Sequence, residues 1–137
     1  MNRNYLKNPH NKIFIKNNFV YKFFKSDKKY YNEKYFYTNY KINHIPKLYS
    51  FSDKRRLLIL EFVGNRIKKK QINNDALINI NNYFIEKNIF HNDYRVKNIL
   101  YNKKKDKYYF IDWEHFDTCF KDTRKSKESD DLRNILF

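Results

Sequence analysis

The stretch His91-Asn92-Asp93-Tyr94-Arg95-Val96-Lys97-Asn98-Ile99-Leu100, followed by Ile111-Asp112-Trp113-Glu114, decides how this chain reads. In the first stretch a carboxylate, Asp93, is followed five residues later by an amide, Asn98, just ahead of the apolar pair Ile99-Leu100. The second stretch puts another carboxylate at the end of the run Tyr108-Tyr109-Phe110-Ile111. Ile99 to Tyr101 and Tyr108 to Ile111 read as two strands joined by the polar turn Lys103-Lys104-Lys105-Asp106. Such a hairpin returns Asp112 to the side of Asn98 whatever the length of its turn.

Those residue types suit one chemistry. Phosphoryl transfer needs a group that orients the incoming hydroxyl, cations that neutralise the phosphate oxygens, and ligands that hold those cations. Asp93 is placed for the first task. Magnesium takes oxygen donors in near-octahedral geometry, and the Asn98 amide and the Asp112 carboxylate supply two of them.

Upstream, Ile13-Phe14-Ile15 and Phe19 to Phe24 read as a hairpin around Lys16-Asn17-Asn18, since asparagine tolerates the positive φ of a tight turn. Ser26 or Asp27 caps a helix to about Lys41, with Tyr30, Glu33, Tyr37 and Tyr40 on one face. Leu48 to Phe51 and Leu57 to Phe62 are two further strands, and Gly64, the one glycine, lets the backbone turn after them without a Cβ clash. A helix from Asn74 or Asp75 to about Lys87 turns Leu77, Ile80, Phe84 and Tyr83 inward. Asp130 to Phe137 reads as a short capped helix with an apolar side.

With 137 residues, 41% of them hydrophobic and 26 of them Tyr or Phe, the chain can bury a core, which argues against disorder. The net charge of +15 attracts polyanions, including nonspecific contact with nucleic acid. Abundant Lys, Asn, Ile, Tyr and Phe with scarce Ala, Gly and Pro produce the same excess as coding bias, so charge does not choose a partner. Cys119 is the only cysteine, which excludes an internal disulfide and suits a reducing, intracellular compartment, the cytoplasm first; its bland reading is a half-buried small side chain. No apolar run approaches the ~20 residues of a membrane span, and Met1 to Asn11 lacks a signal-peptide core.

The His-x-Asp opening, Asn98 five residues beyond Asp93, and Asp112 on the next hairpin resemble the protein-kinase-like superfamily. His91-Asn92-Asp93 and Ile111-Asp112-Trp113-Glu114 look more like its choline kinase and aminoglycoside phosphotransferase branch than a eukaryotic protein kinase. The resemblance implies that His91 supports the loop, Asp93 is the catalytic base, Asn98 and Asp112 bind magnesium, and Lys97 or Arg95 neutralises the transferred phosphate. It extends from about Ile13 to Asp117. Lys22 matches the strand lysine that contacts ATP phosphates, Glu33 the helix glutamate that pairs with it, and Glu61, Phe62 and Val63 the lobe-joining segment that meets adenine, with Leu60 behind.

The chain departs from that pattern in three places and matches it in one more. Asn17-Asn18 is read as occupying the turn where a glycine-rich phosphate loop is expected. Trp113-Glu114 stands in place of Phe-Gly, with Glu114 expected to add charge near magnesium. Asp130 or Asp131 resembles the later aspartate that buttresses the catalytic loop, and Lys121 to Ser129 reads as a solvated connection. Only 25 residues follow Asp112, so much of the substrate platform is expected to be missing.

The resulting expectation is an α+β, two-lobed kinase-like domain over 1–137, with a small antiparallel sheet and one helix in 1–62 and a reduced, mainly helical lobe in 63–137. It uses ATP and Mg2+ to phosphorylate a hydroxyl, a Ser or Thr of a protein substrate ahead of a small-molecule alcohol. The alternatives are a choline- or aminoglycoside-like small-molecule kinase and a nucleotide-binding pseudokinase associated with RNA or protein.

Overall fold

A computed structural model describes residues 4–6, 11–125 and 129–137. Its first lobe is a five-stranded antiparallel sheet in the order β1-β2-β3-β5-β4, formed by β1 (Asn4–Leu6), β2 (Asn11–Lys16), β3 (Phe19–Phe24), β4 (Leu48–Ser52) and β5 (Leu57–Glu61). The helix α1 (Asp27–Asn39) follows β3 directly. The second lobe holds a three-stranded sheet of β6 (Asn65–Arg66), β7 (Ile99–Asn102) and β8 (Lys107–Phe110), with α2 (Asn74–Glu86) and the single-turn helix α3 (Arg133–Leu136). This is the two-lobed α+β arrangement expected, with β1 and β6 added to it.

Local chemistry accounts for most boundaries. Asn17 and Asn18 sit at φ 52° and 65°, the two consecutive left-handed residues that a two-residue hairpin turn requires. The Ser26 hydroxyl accepts the Lys29 N–H (3.4 Å) and starts α1, while the Asn73 side chain accepts the Ala76 N–H (3.1 Å) and starts α2. The helix α2 ends in a Schellman motif: left-handed Asn88 donates to the Ile85 carbonyl and Ile89 to that of Phe84. In a chain with one glycine, asparagine and aspartate take over the left-handed positions, at Asn17, Asn18, Asn88, Asn92, Asp106 and Asp112.

Gly64 is irreplaceable for a different reason. A Cβ there would stand 2.6 Å from the Tyr101 carbonyl oxygen, at a φ of +156°. The chain crosses between lobes pressed against β7, and only glycine permits that approach.

The helix α1 buries Tyr30, Glu33, Phe36 and Tyr37, whereas Tyr40 lies past its end at the C-cap. Phe36 stacks on Trp113 with ring centroids 4.0 Å apart, and Phe84 of α2 meets the same indole edge-on at 5.2 Å. Trp113, fully buried, therefore ties the first lobe's helix to the second lobe's core.

Candidate active site

Strand register places the first functional group. Lys22 pairs with Leu58 on one side and Ile13 on the other, a central position from which its ammonium points inward. It meets Glu33 Oε2 at 2.8 Å and Asp112 Oδ1 at 2.6 Å, joining residues 90 positions apart. Glu33 Oε1 also accepts the Trp113 backbone N–H at 3.0 Å, so one carboxylate orients both the lysine and the turn after Asp112. Burial opposes the Lys22 charge, and Asp112 and Glu33 outweigh it, holding the ammonium above its usual pKa. Burial lifts Glu33 above the carboxylate range against the pull of Lys22, while for Asp112 the burial cost is overcome by Lys22 and the carboxyl lies low.

The loop from His91 to Asn98 is closed by its own hydrogen bonds. The Asp93 N–H donates to His91 Nδ1 (3.1 Å), and His91 Nε2 lies 2.6 Å from the Ile111 carbonyl. A carbonyl only accepts, so Nε2 carries the proton and the ring is the neutral tautomer; burial holds its pKa below the usual histidine value. His91 is the buried brace expected of it, and it bridges the Asp93 loop to the residue before Asp112.

Asp93 is held by three donors. Arg95 Nε meets Oδ1 at 2.7 Å and its Nη2 meets Oδ2 at 3.0 Å, while Asn98 Nδ2 reaches Oδ2 at 2.9 Å. Burial would raise this carboxyl, but Arg95 and Asn98 prevail and carry its pKa down to about 2. Asn98 Nδ2 also bonds the Asp93 carbonyl (2.8 Å), which fixes the amide and leaves its Oδ1 buried with no hydrogen-bond partner among the described residues. Ile99 pairs with Phe110 and the Ile111 N–H bonds the Asn98 carbonyl (2.9 Å), so Asn98 and Asp112 share one end of the β7–β8 hairpin.

An orphaned amide oxygen beside a carboxylate is a donor set that fits a hard divalent cation such as Mg2+. Asp112 adopts a left-handed φ of 61°, a strained conformation for a non-glycine residue, of the kind that gathers at functional sites. Lys97 is exposed on the turn between Arg95 and Asn98, and its field contributes to lowering Asp112.

A cavity between the lobes is lined by Ile13, Val20, Leu60, Leu100 and Ile111, with Lys22 and Asp112 also lining it. Glu61, Phe62 and Gly64 line it where the lobes join, whereas the Val63 side chain packs away against Leu100 and Tyr109. The Phe62 N–H donates to Asn18 (3.0 Å) and the Val63 carbonyl accepts from Asn102 (2.9 Å), while the Val63 N–H has no partner among the described residues. The free volume is about 70 Å³, below the ~300 Å³ of small-ligand sites, so a nucleoside enters only if the lobes part.

Four expectations need correction. Asn17-Asn18 is the β2–β3 turn and abuts the lobe-joining segment, away from Lys22, so it is not where a phosphate loop would lie. The β1–β2 connection, 7–10, lies outside the described residues; Asn11, which follows it, donates to Glu114 Oε2 (3.5 Å). Glu114 faces α1, with Lys29 at 3.9 Å and its carbonyl bonded by Asn32. Cys119 is exposed.

The fourth concerns the catalytic-loop buttress. Asp122, buried within the segment read as solvated, accepts the Tyr94 N–H at 3.0 Å. Arg124 clasps Asp122 (2.7 and 2.8 Å) and approaches Asp93 Oδ1 at 3.6 Å, and Arg133 joins Asp122 (3.7 Å) to Asp131 (2.6 Å). Asp130 contributes through its backbone, where its carbonyl accepts the Val96 N–H (2.8 Å), whereas Asp131 bridges to Arg95 through backbone and holds Arg133 with its carboxylate. No hydrophobic periodicity marks Asp122, so nothing in the sequence singles it out.

The sequence matches no protein-family model and no curated protein. Solved structures do match. Monomeric WbdD superposes with a TM-score of 0.64 at 17% identity, over 79% of this chain and 33% of that one. The bifunctional kinase-methyltransferase WbdD gives 0.62 at 17%, over 80% and 30%. The kinase PK-1 of Cydia pomonella granulovirus gives 0.63 at 22%, over 82% and 52%. The fold is protein-kinase-like. This chain spans about a third to a half of the length of those proteins. Lys22, Glu33 and Asp112 line the interlobe cavity, whereas Asp93 and Asn98, bonded to each other at 2.9 Å, lie at the hairpin end that leads to Asp112, with His91 bonded between the Asp93 loop and Ile111.

Proposed function

We propose that the chain transfers the terminal phosphoryl group of ATP to a hydroxyl. One observation carries this reading: Asn98 presents a buried, unpartnered amide oxygen at the hairpin end that also carries Asp112, between the Lys22–Glu33 pair and Asp93. Lys22 would neutralise nucleotide phosphates, and the Val63 N–H would meet the adenine edge. Asn98 and Asp112 would hold Mg2+, which supplies positive charge against the phosphate oxygens when bound.

In that reaction the acceptor oxygen bonds to the γ-phosphorus, the bond from that phosphorus to the ADP oxygen breaks, and the acceptor proton passes toward Asp93. A carboxyl with a pKa of about 2 is a weak base, so Asp93 chiefly aligns the hydroxyl. Its Oδ1 accepts one strong bond, from Arg95, and retains a lone pair for the acceptor.

A small hydroxyl compound is the acceptor that the surroundings favour. The segment after Trp113 turns its polar groups inward, with the Asn92 amide bonding the His115 and Cys119 carbonyls (3.3 and 3.1 Å) and accepting the Lys121 N–H (2.7 Å). Among the described residues the side chains of Arg95 and Arg124 flank Asp93, a polar rim that suits a small hydroxyl compound.

The test is magnesium-dependent transfer of labelled phosphate from ATP to a panel of small hydroxyl compounds and, in parallel, to Ser/Thr peptides. Asp93→Asn and Asp112→Asn should each lower turnover by about 10²-fold or more with circular dichroism unchanged. Undiminished turnover in both would remove the reading, and transfer to peptides alone would restore the Ser/Thr acceptor.

A further inference from the structure

A second concavity, of about 520 Å³, shares Tyr37, Pro46 and Glu61 with the interlobe cavity and lies within the size range of small-ligand sites. Four lysines line it: Lys41 and Lys47 from the α1–β4 connection, and Lys105 and Lys107 from the β7–β8 turn and the start of β8. No carboxylate among the described residues lies within 4.0 Å of any of the four ammonium groups. By contrast Lys29, Lys34 and Lys121 each have one and Lys22 has two.

Asp106 lies outside the lining and accepts the Tyr101 hydroxyl at 2.5 Å. One carboxylate, Glu61, lines the concavity and accepts the Lys47 backbone N–H at 3.4 Å, so four ammonium groups stand against one acid there. His44 adds no negative charge, its Nδ1 donating to the Tyr108 carbonyl (2.8 Å). The wall behind the lysines includes apolar Ile42 and Leu48, so the ammonium field acts across poorly polarisable surface, which focuses it.

A second feature marks the partition between the two cavities. The Tyr37 hydroxyl is buried and has no hydrogen-bond partner among the described residues. Burial and the carboxylates of Glu33 and Asp112 keep it protonated, a donor without an acceptor. Leaving such a group unpaired carries a desolvation cost that an acceptor or water brought into the partition would relieve.

We propose that this concavity is a second ligand site, which takes a polyphosphate-bearing small molecule with its phosphates among Lys41, Lys47, Lys105 and Lys107. Lysine suits this task as a flexible point charge with three donors and no acceptor. The concavity opens to solvent, and its free volume suits a nucleotide-sized molecule. The site stands apart from the proposed phosphoryl transfer and does not require it.

The experiment titrates the full-length, isotope-labelled protein with inorganic tripolyphosphate in EDTA, where without metal Asp93 and Asp112 disfavour the polyanion in the interlobe cleft. Lys41→Gln/Lys107→Gln is compared with Lys68→Gln/Lys69→Gln, a control of equal charge at exposed positions outside the concavity. The first variant should raise the dissociation constant by about tenfold or more and the control should change it little, with amide shifts concentrated in 41–48 and 104–109. Equal weakening in both variants, shifts spread over the basic surface, or no binding by the natural chain would overturn the proposal. Lys41, Lys68 and Lys69 are exposed and Lys107 is half-buried at the start of β8, so a melting temperature that holds in each variant is required and confirms that it folds.

Discussion

Two ion clusters meet at the cleft, and they are built on opposite principles. Around Lys22 one buried ammonium serves two carboxylates, Glu33 and Asp112, so the cluster carries an acid in excess. Around Asp93 the charges are matched: Asp93, Asp122 and Asp131 interleave with Arg95, Arg124 and Arg133, whose side chains reach solvent. The first cluster has room in its charge balance for a further cation, and its Lys22–Glu33 pair is shut away from water. The second is already neutral, and each guanidinium can be exchanged for solvent at modest cost. In the proposed reaction that difference would let one side take Mg2+ while the other holds a carboxylate still.

The largest expected effect comes from breaking the first cluster. Lys22→Met leaves Glu33 buried without its counter-charge and should cost about 3–5 kcal/mol in denaturant unfolding. Lys22→Met/Glu33→Gln should recover part of the loss. If the single variant is no less stable than the natural chain, the contrast between the clusters is wrong.

A smaller effect concerns His91, which links them. Its folded pKa is depressed, so the folded protein prefers the neutral ring. Below the ordinary value of 6.5 the unfolded chain binds the additional proton first, and stability falls as pH drops toward the lowered folded value. Melting temperatures recorded through this window should decline, and His91→Asn should flatten that decline. An unchanged slope in the variant would assign the decline to other groups.

The smallest stability change should follow Arg95→Ala, within about 1 kcal/mol because the guanidinium is partly exposed. Its signature lies in the pH profile. With Arg95 gone the Asp93 pKa rises from about 2 toward the ordinary 3.8, so the acid limb of phosphoryl transfer moves upward. A limb that stays in place would show that the clamp on Asp93 does not set its charge.

Much of this was legible in the chain itself. Ser26 and Asn17-Asn18 announced a cap and a turn, and the five-residue gap from Asp93 to Asn98 announced a loop closing on itself; each is a short-range preference that acts before any lobe exists. The glycine at 64 likewise marked a backbone turn, although its true constraint, the Tyr101 carbonyl, comes from β7. Misplacing the phosphate-loop position at Asn17-Asn18 shows the limit. The turn was correctly recognised, but which end of the sheet it occupies depends on β1, three residues with no pattern of their own, and on pairing with β5.

By itself the sequence determined elements, caps and the chemical types gathered near Asp93, because those rest on free energies exchanged between near neighbours. Only the tertiary structure decided that Lys22 reaches Asp112 across 90 residues, that Asp122 supports the Tyr94 backbone, and that four lysines from two connections share one concavity. Such meetings have no local signature. They are set when Trp113 packs on Phe36 and Phe84, and burying those rings fixes the distance between groups that the chain alone leaves independent.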